Sequence, residues 1–447
     1  MTLSPLKRCM STMKRSLFCL LFLSARLLLA QSPLEKQASG DASYLYDLYL
    51  YLHQHPELSF YETETAKRMA AELKQAGFAV TEHVGGNGIV GVLSNGNGPV
   101  VLVRTDIDAL PVKEETGKPY ASTVQATDES GATVDVMHAC GHDVHMTSWV
   151  GAARALAKMK DQWKGTVVFI GQPAEERNGG AKAMLDDGLY TRFPKPDYGI
   201  ALHVSPVIEA GKVGVRPEYA FAFVDFMDIT VHGFGGHGAY PHTTIDPVLL
   251  AARIIVDLQT IVSREISPLQ PAVVTVGSIH GGTKGNIIPN EVKLELTMRS
   301  YSDDVRNAII EKIRRICAGV AMSAGLPEDQ YPECKLKNEY CPSVYNEPAL
   351  TERLAGIFRK TLGQDKVVLA DPVMAGEDFS YYGRTDDKIP TCQFWLGVVE
   401  KEKIEAAARG ALTLPSLHSS LFAPDPKPSI RTGVISLTAA VMDLLRK

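Results

Sequence analysis

Residues 138–171 read HACGHDVHMTSWVGAARALAKMKDQWKGTVVFIG, and they contain the repeating unit of the fold. The stretch opens on a turn at Gly141, continues as a helix over Val144–Met159 and ends in the apolar run Thr166–Gly171. A short apolar run without polar alternation is the pattern of a strand buried on both faces. The unit recurs on either side. Upstream lie a helix over Glu62–Ala76, closed by Gly77 with Ala66, Met69, Ala70 and Leu73 on one face, and the run Val100–Val103; downstream lies Tyr198–Val204. Alternating helices and buried strands predict an α/β domain whose mostly parallel sheet is covered on both sides.

From about residue 212 to 327 the texture changes. Ala222–Val231, Ala272–Ile279 and Glu291–Arg299 read as strands, and Val248–Val262 and Val305–Ala321 as helices, in the order β-α-β-β-α. That order suits a smaller α+β module of ferredoxin-like style, with an antiparallel sheet and helices on one face. Afterwards the first texture returns, with strands at Val367–Ala370 and Thr391–Leu396 and a closing helix at Val434–Leu445. The predicted organisation is one α/β domain, residues 41–211 and 328–447, interrupted by an inserted module at 212–327. No internal repeat or low-complexity tract is visible.

The 447 residues carry a net charge of −5, and their ordinary composition excludes collagen-like, disordered and small disulfide-stapled classes. Residues 1–30 hold Lys7, Arg8, Lys14, Arg15 and Arg26 and no acid, with an apolar run from Leu17 to Leu29. This reads as an export signal peptide, too short for a membrane span, with an uncleaved anchor as the alternative. Its removal would take the net charge to −10, which excludes electrostatic attraction to nucleic acid or to anionic membranes. Beyond residue 30 stand Cys140, Cys317, Cys334, Cys341 and Cys392, an odd number at irregular spacing that argues against a disulfide framework. In an exported chain an unpaired Cys with a role points to a metal ligand, and Cys140 is the candidate.

Ligands of open α/β sheets bind beyond the carboxyl ends of the strands. Asp106 and Asp108 follow Val100–Val103, Glu175 and Glu176 follow Thr166–Gly171, His203 ends Tyr198–Val204, and His418 lies downstream of Thr391–Leu396. The densest cluster is His138, Cys140, His142, Asp143 and His145. Cys140 and His142 are two apart, which suits a turn, and Gly141 lets the backbone fold both side chains toward one point. At the start of a helix the Cys140 thiol is expected to have a lowered pKa. Adjacent glutamates raise each other's pKa, and a metal would neutralise one while the other stays free as a base.

Several segments together carry a resemblance: His53–Ser59, Arg104–Pro111, His138–Asp143, Pro173–Glu176, Gly235–His242, Gly281–Pro289 and Met374–Phe379. From about residue 41 to the C-terminus the chain resembles the metal-dependent amidohydrolase, aminoacylase and carboxypeptidase family. The branch it is similar to contains indole-acetyl-amino-acid hydrolases, hippurate hydrolase and N-acetyl-diaminopimelate deacetylase. The resemblance implies a zinc-peptidase-like catalytic domain with an inserted lid or dimerisation domain. It implies two divalent ions (Mn²⁺, Zn²⁺, Co²⁺ or Ni²⁺) held by Cys140, His142, Glu176, His203 and His418, with Cys140 where the wider family has a bridging Asp. Arg104 stands where that family has its first metal His. Glu175 is then the general base, Asp106 supports a ligand, and His237 stabilises the oxyanion, in several members across a dimer interface.

Asn286, Arg299 and Gly376 resemble positions that meet the substrate. His55, Pro56 and Glu57 look architectural, His138 and His145 look like neighbours of ligands, and Glu377 and Asp378 look like caps of the following turn. The implied activity is hydrolysis of small-molecule N-acyl amino acids, hippurate-like or N-acetylated, with a homodimer through the inserted module as the partner expectation. A metallo-carboxypeptidase acting on peptides or folate-like conjugates and a non-catalytic ligand-binding protein are the alternatives.

Overall fold

The computed structural model describes residues 32–338 and 340–446, so the expected leader at 1–30 lies outside the described residues. Strands from the two outer parts of the chain build one eight-stranded sheet. Its order is Ala79–Thr81, Ile89–Asn95, Gly165–Gln172, Val100–Asp106, Tyr198–Glu209, Thr391–Val399, Val213–Val215, Val367–Leu369. The four strands from Gly165–Gln172 to Thr391–Val399 run parallel, and antiparallel pairings flank them on both sides.

Successive residues of these strands enter different cores, which explains why the runs are apolar throughout. Val101, Val103, Val167 and Phe169 pack in a core shared with the helices Ala42–Gln54, His142–Lys158, Pro348–Leu362 and Pro426–Leu444. Leu102, Val168 and Ile170 belong to a second core, with Ala181, Met184, Phe379 and Tyr382. Register brings the polar strand ends level: Asp106 lies opposite Gln172, and His203 opposite Trp395.

The inserted module is a four-stranded antiparallel sheet in the order Ala272–Gly281, Glu291–Ser300, Phe223–His232, Glu333–Leu336. The helices Pro247–Thr260 and Asp303–Ser323 cover one face through Leu250, Ile254, Leu258, Ile309 and Ile313. Caps fix both helix starts: Asp246 accepts the Val248 N–H, and the Ser302 hydroxyl accepts that of Val305. The inserted sheet runs from Phe223 to Leu336. Val213–Val215 pairs with Thr391–Val399 in the main sheet, and a fourth strand after Pro327 completes the ferredoxin-like order.

The helix His142–Lys158 starts two residues earlier than the sequence predicts, so His142 is its first residue and Gly141 its cap. It crosses Pro426–Leu444 at close range, because a Cβ on Gly151 would meet Val434 Cγ2 at 2.3 Å and Leu45 Cδ1 at 2.9 Å. Gly151→Ala is expected to destabilise the protein by about 1–3 kcal/mol through overpacking. Urea unfolding monitored by circular dichroism checks this, and an unchanged midpoint would contradict the close crossing.

Candidate metal centre

Gly141 has φ +78°, a left-handed conformation that glycine adopts without steric cost, and an added Cβ would meet Val204 Cγ2 at 2.7 Å. This turn places the Cys140 thiol 3.6 Å from His203 Nε2. The His142 ring bonds the Asp108 carbonyl through Nδ1 at 2.8 Å, and His203 bonds the Val204 carbonyl through Nδ1 at 2.8 Å. Both Nδ1 atoms therefore donate, which leaves Nε2 as the ring atom open to an ion. Burial opposes a charge on His142, but Asp106, Asp108 and Glu176 raise it to about 10, so its Nε2 proton must leave before an ion can bind.

Two groups of side chains gather ligand atoms within 4.8 Å of one another and share Cys140: Cys140, His142 and His203, and Cys140, Glu176 and His418. His418 approaches Glu176 Oε2 at 3.4 Å, and its backbone N–H bonds the Ala139 carbonyl at 3.0 Å. It is the exposed member, its side chain 54 % accessible, while Cys140, His142 and His203 are buried.

The donor set fits a cation. His142 Nε2 and Glu176 Oε1 are buried without a hydrogen-bond partner and lie 3.8 Å apart. Burial, with the charges of Glu176 and Glu175, pushes the Cys140 thiol well up, opposite to the lowering expected from its place before a helix. Burial likewise raises Glu175, helped by Glu377 and Glu176, and lifts Glu176 to about 8. Burial pushes His203 well down. The thiolate and carboxylate forms that bind metal are therefore disfavoured until positive charge enters.

His145 fits a supporting role. Its Nδ1 bonds Asp106 Oδ1 at 2.7 Å and its Nε2 accepts the Val204 N–H at 2.9 Å, so neither nitrogen is free for an ion. His138 is buried with both ring nitrogens unpaired. Glu57 is architectural, since its carboxylate takes the N–H groups of Glu64 and Thr65 at the start of the helix Thr63–Gln75.

Beneath the cluster lies an arrangement that the sequence reading missed. Arg104 is fully buried and donates to Asp106 Oδ2 at 2.7 Å, Glu377 Oε1 at 2.8 Å, Asp378 Oδ1 at 3.2 Å and Gln172 Oε1 at 3.0 Å. Glu377 does accept the Phe379 N–H as a cap, yet its larger role is as a buried counterion, together with Asp378. The available signal was a charged residue inside an otherwise apolar strand. Asp106 thus bridges the guanidinium and His145, with Oδ2 at 3.7 Å from His142 Nε2.

A cavity of about 860 Å³ opens on Cys140, Glu175, Glu176, His203 and His418. Arg299 and Gly376 line it, as do the apolar side chains of Val207, Ile208, Phe221, Leu369 and Trp395. Phe221 and Trp395 stack with ring centroids 4.8 Å apart. His237 and Asn286 are not among the lining residues. Both are exposed, beside the two-stranded ladder that pairs Gly236–His237 with Ile287–Ile288, and Asn286 accepts the Gly238 N–H at 2.9 Å.

The model of peptidase family M20/M25/M40 matches residues 102–413. The chain belongs to this family. It is 36% identical over 396 residues to N-acetyldiaminopimelate deacetylase of Limosilactobacillus fermentum, covering 88% of this chain and 94% of the relative. It is 36% identical over 356 residues to thermostable carboxypeptidase 1 of Saccharolobus solfataricus, covering 79% and 85%. Among solved structures, a Bacillus subtilis dinuclear metal binding peptidase of the M20 family superposes with a TM-score of 0.72 at 29% identity, covering 91% of this chain and 99% of that one. Membership makes the chain a hydrolase of amide bonds. Among the described residues no helix is long and apolar enough to cross a membrane.

One feature of this M20 chain extends the polar core outward. His53 bonds Asp143 Oδ2 through Nδ1 at 2.6 Å and Glu114 Oε1 through Nε2 at 3.2 Å. Burial opposes its charge, but the two carboxylates win and raise it from 6.5 to about 9. The folded state therefore binds this proton more tightly, so the stabilisation is complete below about pH 6.5 and fades as pH rises through about 9. The loss is expected to be at most about 3 kcal/mol. Unfolding free energies measured from pH 6 to 10 should show this slope in the wild type and a flatter one in His53→Gln.

Proposed function

We propose that the chain hydrolyses the amide bond of N-acyl amino acids, releasing a carboxylic acid and an amino acid. The observation that carries this reading is the pair of ligand groups sharing Cys140, with the carboxylate of Glu175 beside them at the cavity wall. Cys140, His142 and His203 would hold one divalent ion and Cys140, Glu176 and His418 the other; Mn²⁺, Zn²⁺, Co²⁺ and Ni²⁺ all suit imidazole, thiolate and carboxylate donors. When bound, such ions polarise a carbonyl and make water acidic near neutral pH.

Glu175 accepts the proton of the attacking water and returns it to the leaving nitrogen. Its raised affinity for a proton, caused by burial and neighbouring carboxylates, suits that exchange. Arg299 offers a binding group for the substrate carboxylate. It lines the cavity and donates to Thr297 Oγ1 and the Met298 carbonyl, and no carboxylate lies within ion-pair distance among the described residues. Gly376 gives that wall a close backbone approach. The stacked Phe221 and Trp395, with Val207, Ile208 and Leu369, support a bulky apolar acyl group of the hippurate kind.

His237 and Asn286, exposed on the inserted module, support a homodimer in which His237 reaches the partner's oxyanion. The basic and apolar residues of 1–30 support export. A carboxypeptidase reading draws on the similarity to the Saccharolobus carboxypeptidase and on the size of the cavity. Comparing turnover of benzoyl amino acids, acetyl amino acids and dipeptides separates the readings.

Glu175→Gln is expected to lower kcat by about 10³-fold while bound metal, measured by elemental analysis, stays at the wild-type ratio. Near-wild-type turnover in that variant would refute the assignment. Arg299→Ala is expected to raise KM about ten-fold with little change in kcat, read from initial rates on hippurate.

A further inference from the structure

Outside the metal cluster and the Arg104 network, one buried carboxylate touches the backbone that carries the base. Glu62 stands at the entry of the helix Thr63–Gln75, yet its side chain does not cap that helix, and the residue is 0 % exposed. Its Oε1 instead accepts the N–H of Ala174 at 2.8 Å and of Phe60 at 2.7 Å, and its Oε2 accepts Asn87 Nδ2 at 3.1 Å. Ala174 has φ +49° and Phe60 φ +69°, left-handed conformations that cost energy for residues with a Cβ. Asn87 also bonds the Phe60 carbonyl at 3.0 Å, which fixes the clamp from its far side.

Ala174 immediately precedes Glu175 and the short turn Glu175–Arg177. The next flanking amide is held in the same manner: the Glu176 N–H donates to Asp108 Oδ2 at 3.0 Å, and the Ser59 hydroxyl donates to that same oxygen at 2.7 Å. One short segment, 59–62, therefore reaches the backbone on both sides of Glu175, directly through Glu62 and through Asp108 by way of Ser59. Neither Glu62 nor Ser59 lines the cavity.

We propose that Glu62 is a positioning residue for the general base, holding Ala174 in its left-handed conformation so that the Glu175 carboxylate faces the cavity. The inference rests on the hydrolase reading above for the role of Glu175, and on geometry alone for the clamp. What matters is the acceptor oxygen and not the charge. Gln at position 62 keeps a carbonyl for the Ala174 and Phe60 amides but sets an NH2 group against the Asn87 donor, whereas Met of similar length removes both acceptors.

The test compares Glu62→Met with Glu62→Gln in the full chain loaded with metal. Hydrogen exchange of the peptide spanning 172–180 should quicken about ten-fold in Glu62→Met, with exchange in the inserted sheet unchanged. Turnover of hippurate should fall about ten-fold or more in kcat, with KM within about three-fold. Glu62→Gln, which keeps the acceptor for Ala174 but loses the Asn87 bond, should stay within about five-fold of wild type on both readouts and well short of Glu62→Met. Unchanged exchange at 172–180 in Glu62→Met overturns the proposal, as does a Gln variant that loses as much kcat as the Met variant. If Glu62→Met does not fold, Asn87→Ala takes its place, with about three-fold faster exchange expected and no change overturning the clamp. A wild type that hydrolyses no N-acyl amino acid refutes the proposed function, while the exchange result still decides whether Glu62 holds the turn.

Discussion

Arg104 carries a permanent positive charge into the middle of a parallel sheet, and the polar half of the molecule is arranged around it. Three carboxylates, on Asp106, Glu377 and Asp378, bond the guanidinium directly, and Glu175 lies close enough to Glu377 and Asp378 to be raised by them. A buried ion of this kind is stable only while its partners are all present, since removing one leaves an uncompensated charge costing about 3–5 kcal/mol. On the side of Cys140, Glu175 and Glu176, burial and mutual repulsion favour the protonated forms of all three. These groups thus gain their charged forms only when positive charge enters beside them.

Much of this was legible in the chain. The four parallel strands and the helices between them appear as apolar runs and 3.6-residue patterns, and the clustering of Cys140, His142, Glu176, His203 and His418 was readable because they lie at or after strand ends or beside the Gly141 turn. Ile89–Asn95 and Ala79–Thr81 went unread because Gly91 interrupts one run and the other is only three residues long. The strand Glu333–Leu336 was missed because Glu333 and Lys335 alternate with Cys334 and Leu336 along a sheet edge, a pattern that also suits a loop. The Arg104 network escaped for another reason. Its members are 273 residues apart, and no local pattern pairs Arg104 with Glu377. The Cys140 thiol was misjudged because a helix terminus acts over one turn, whereas burial and two neighbouring carboxylates act together at closer range.

The cavity has walls of two origins. Phe226 and Arg299 come from the inserted sheet, while Ile208, Leu369 and Trp395 come from the main sheet, and Cys140 lies against His203 of its central strand Tyr198–Glu209. The candidate donors Cys140, His142, Glu176, His203 and His418 all belong to the α/β part, and Arg299 belongs to the insert.

The interruption of the main sheet also has a consequence for how the chain folds. Thr391–Val399 pairs with Tyr198–Glu209 across nearly two hundred residues of sequence, and His418 joins Cys140 from farther still. The inserted module, made of neighbouring segments, can close early, whereas the catalytic sheet waits for the end of the polypeptide. During synthesis on a ribosome the strand Tyr198–Glu209 would keep an open, apolar edge until the last segments emerge, a period when association with other chains competes with folding.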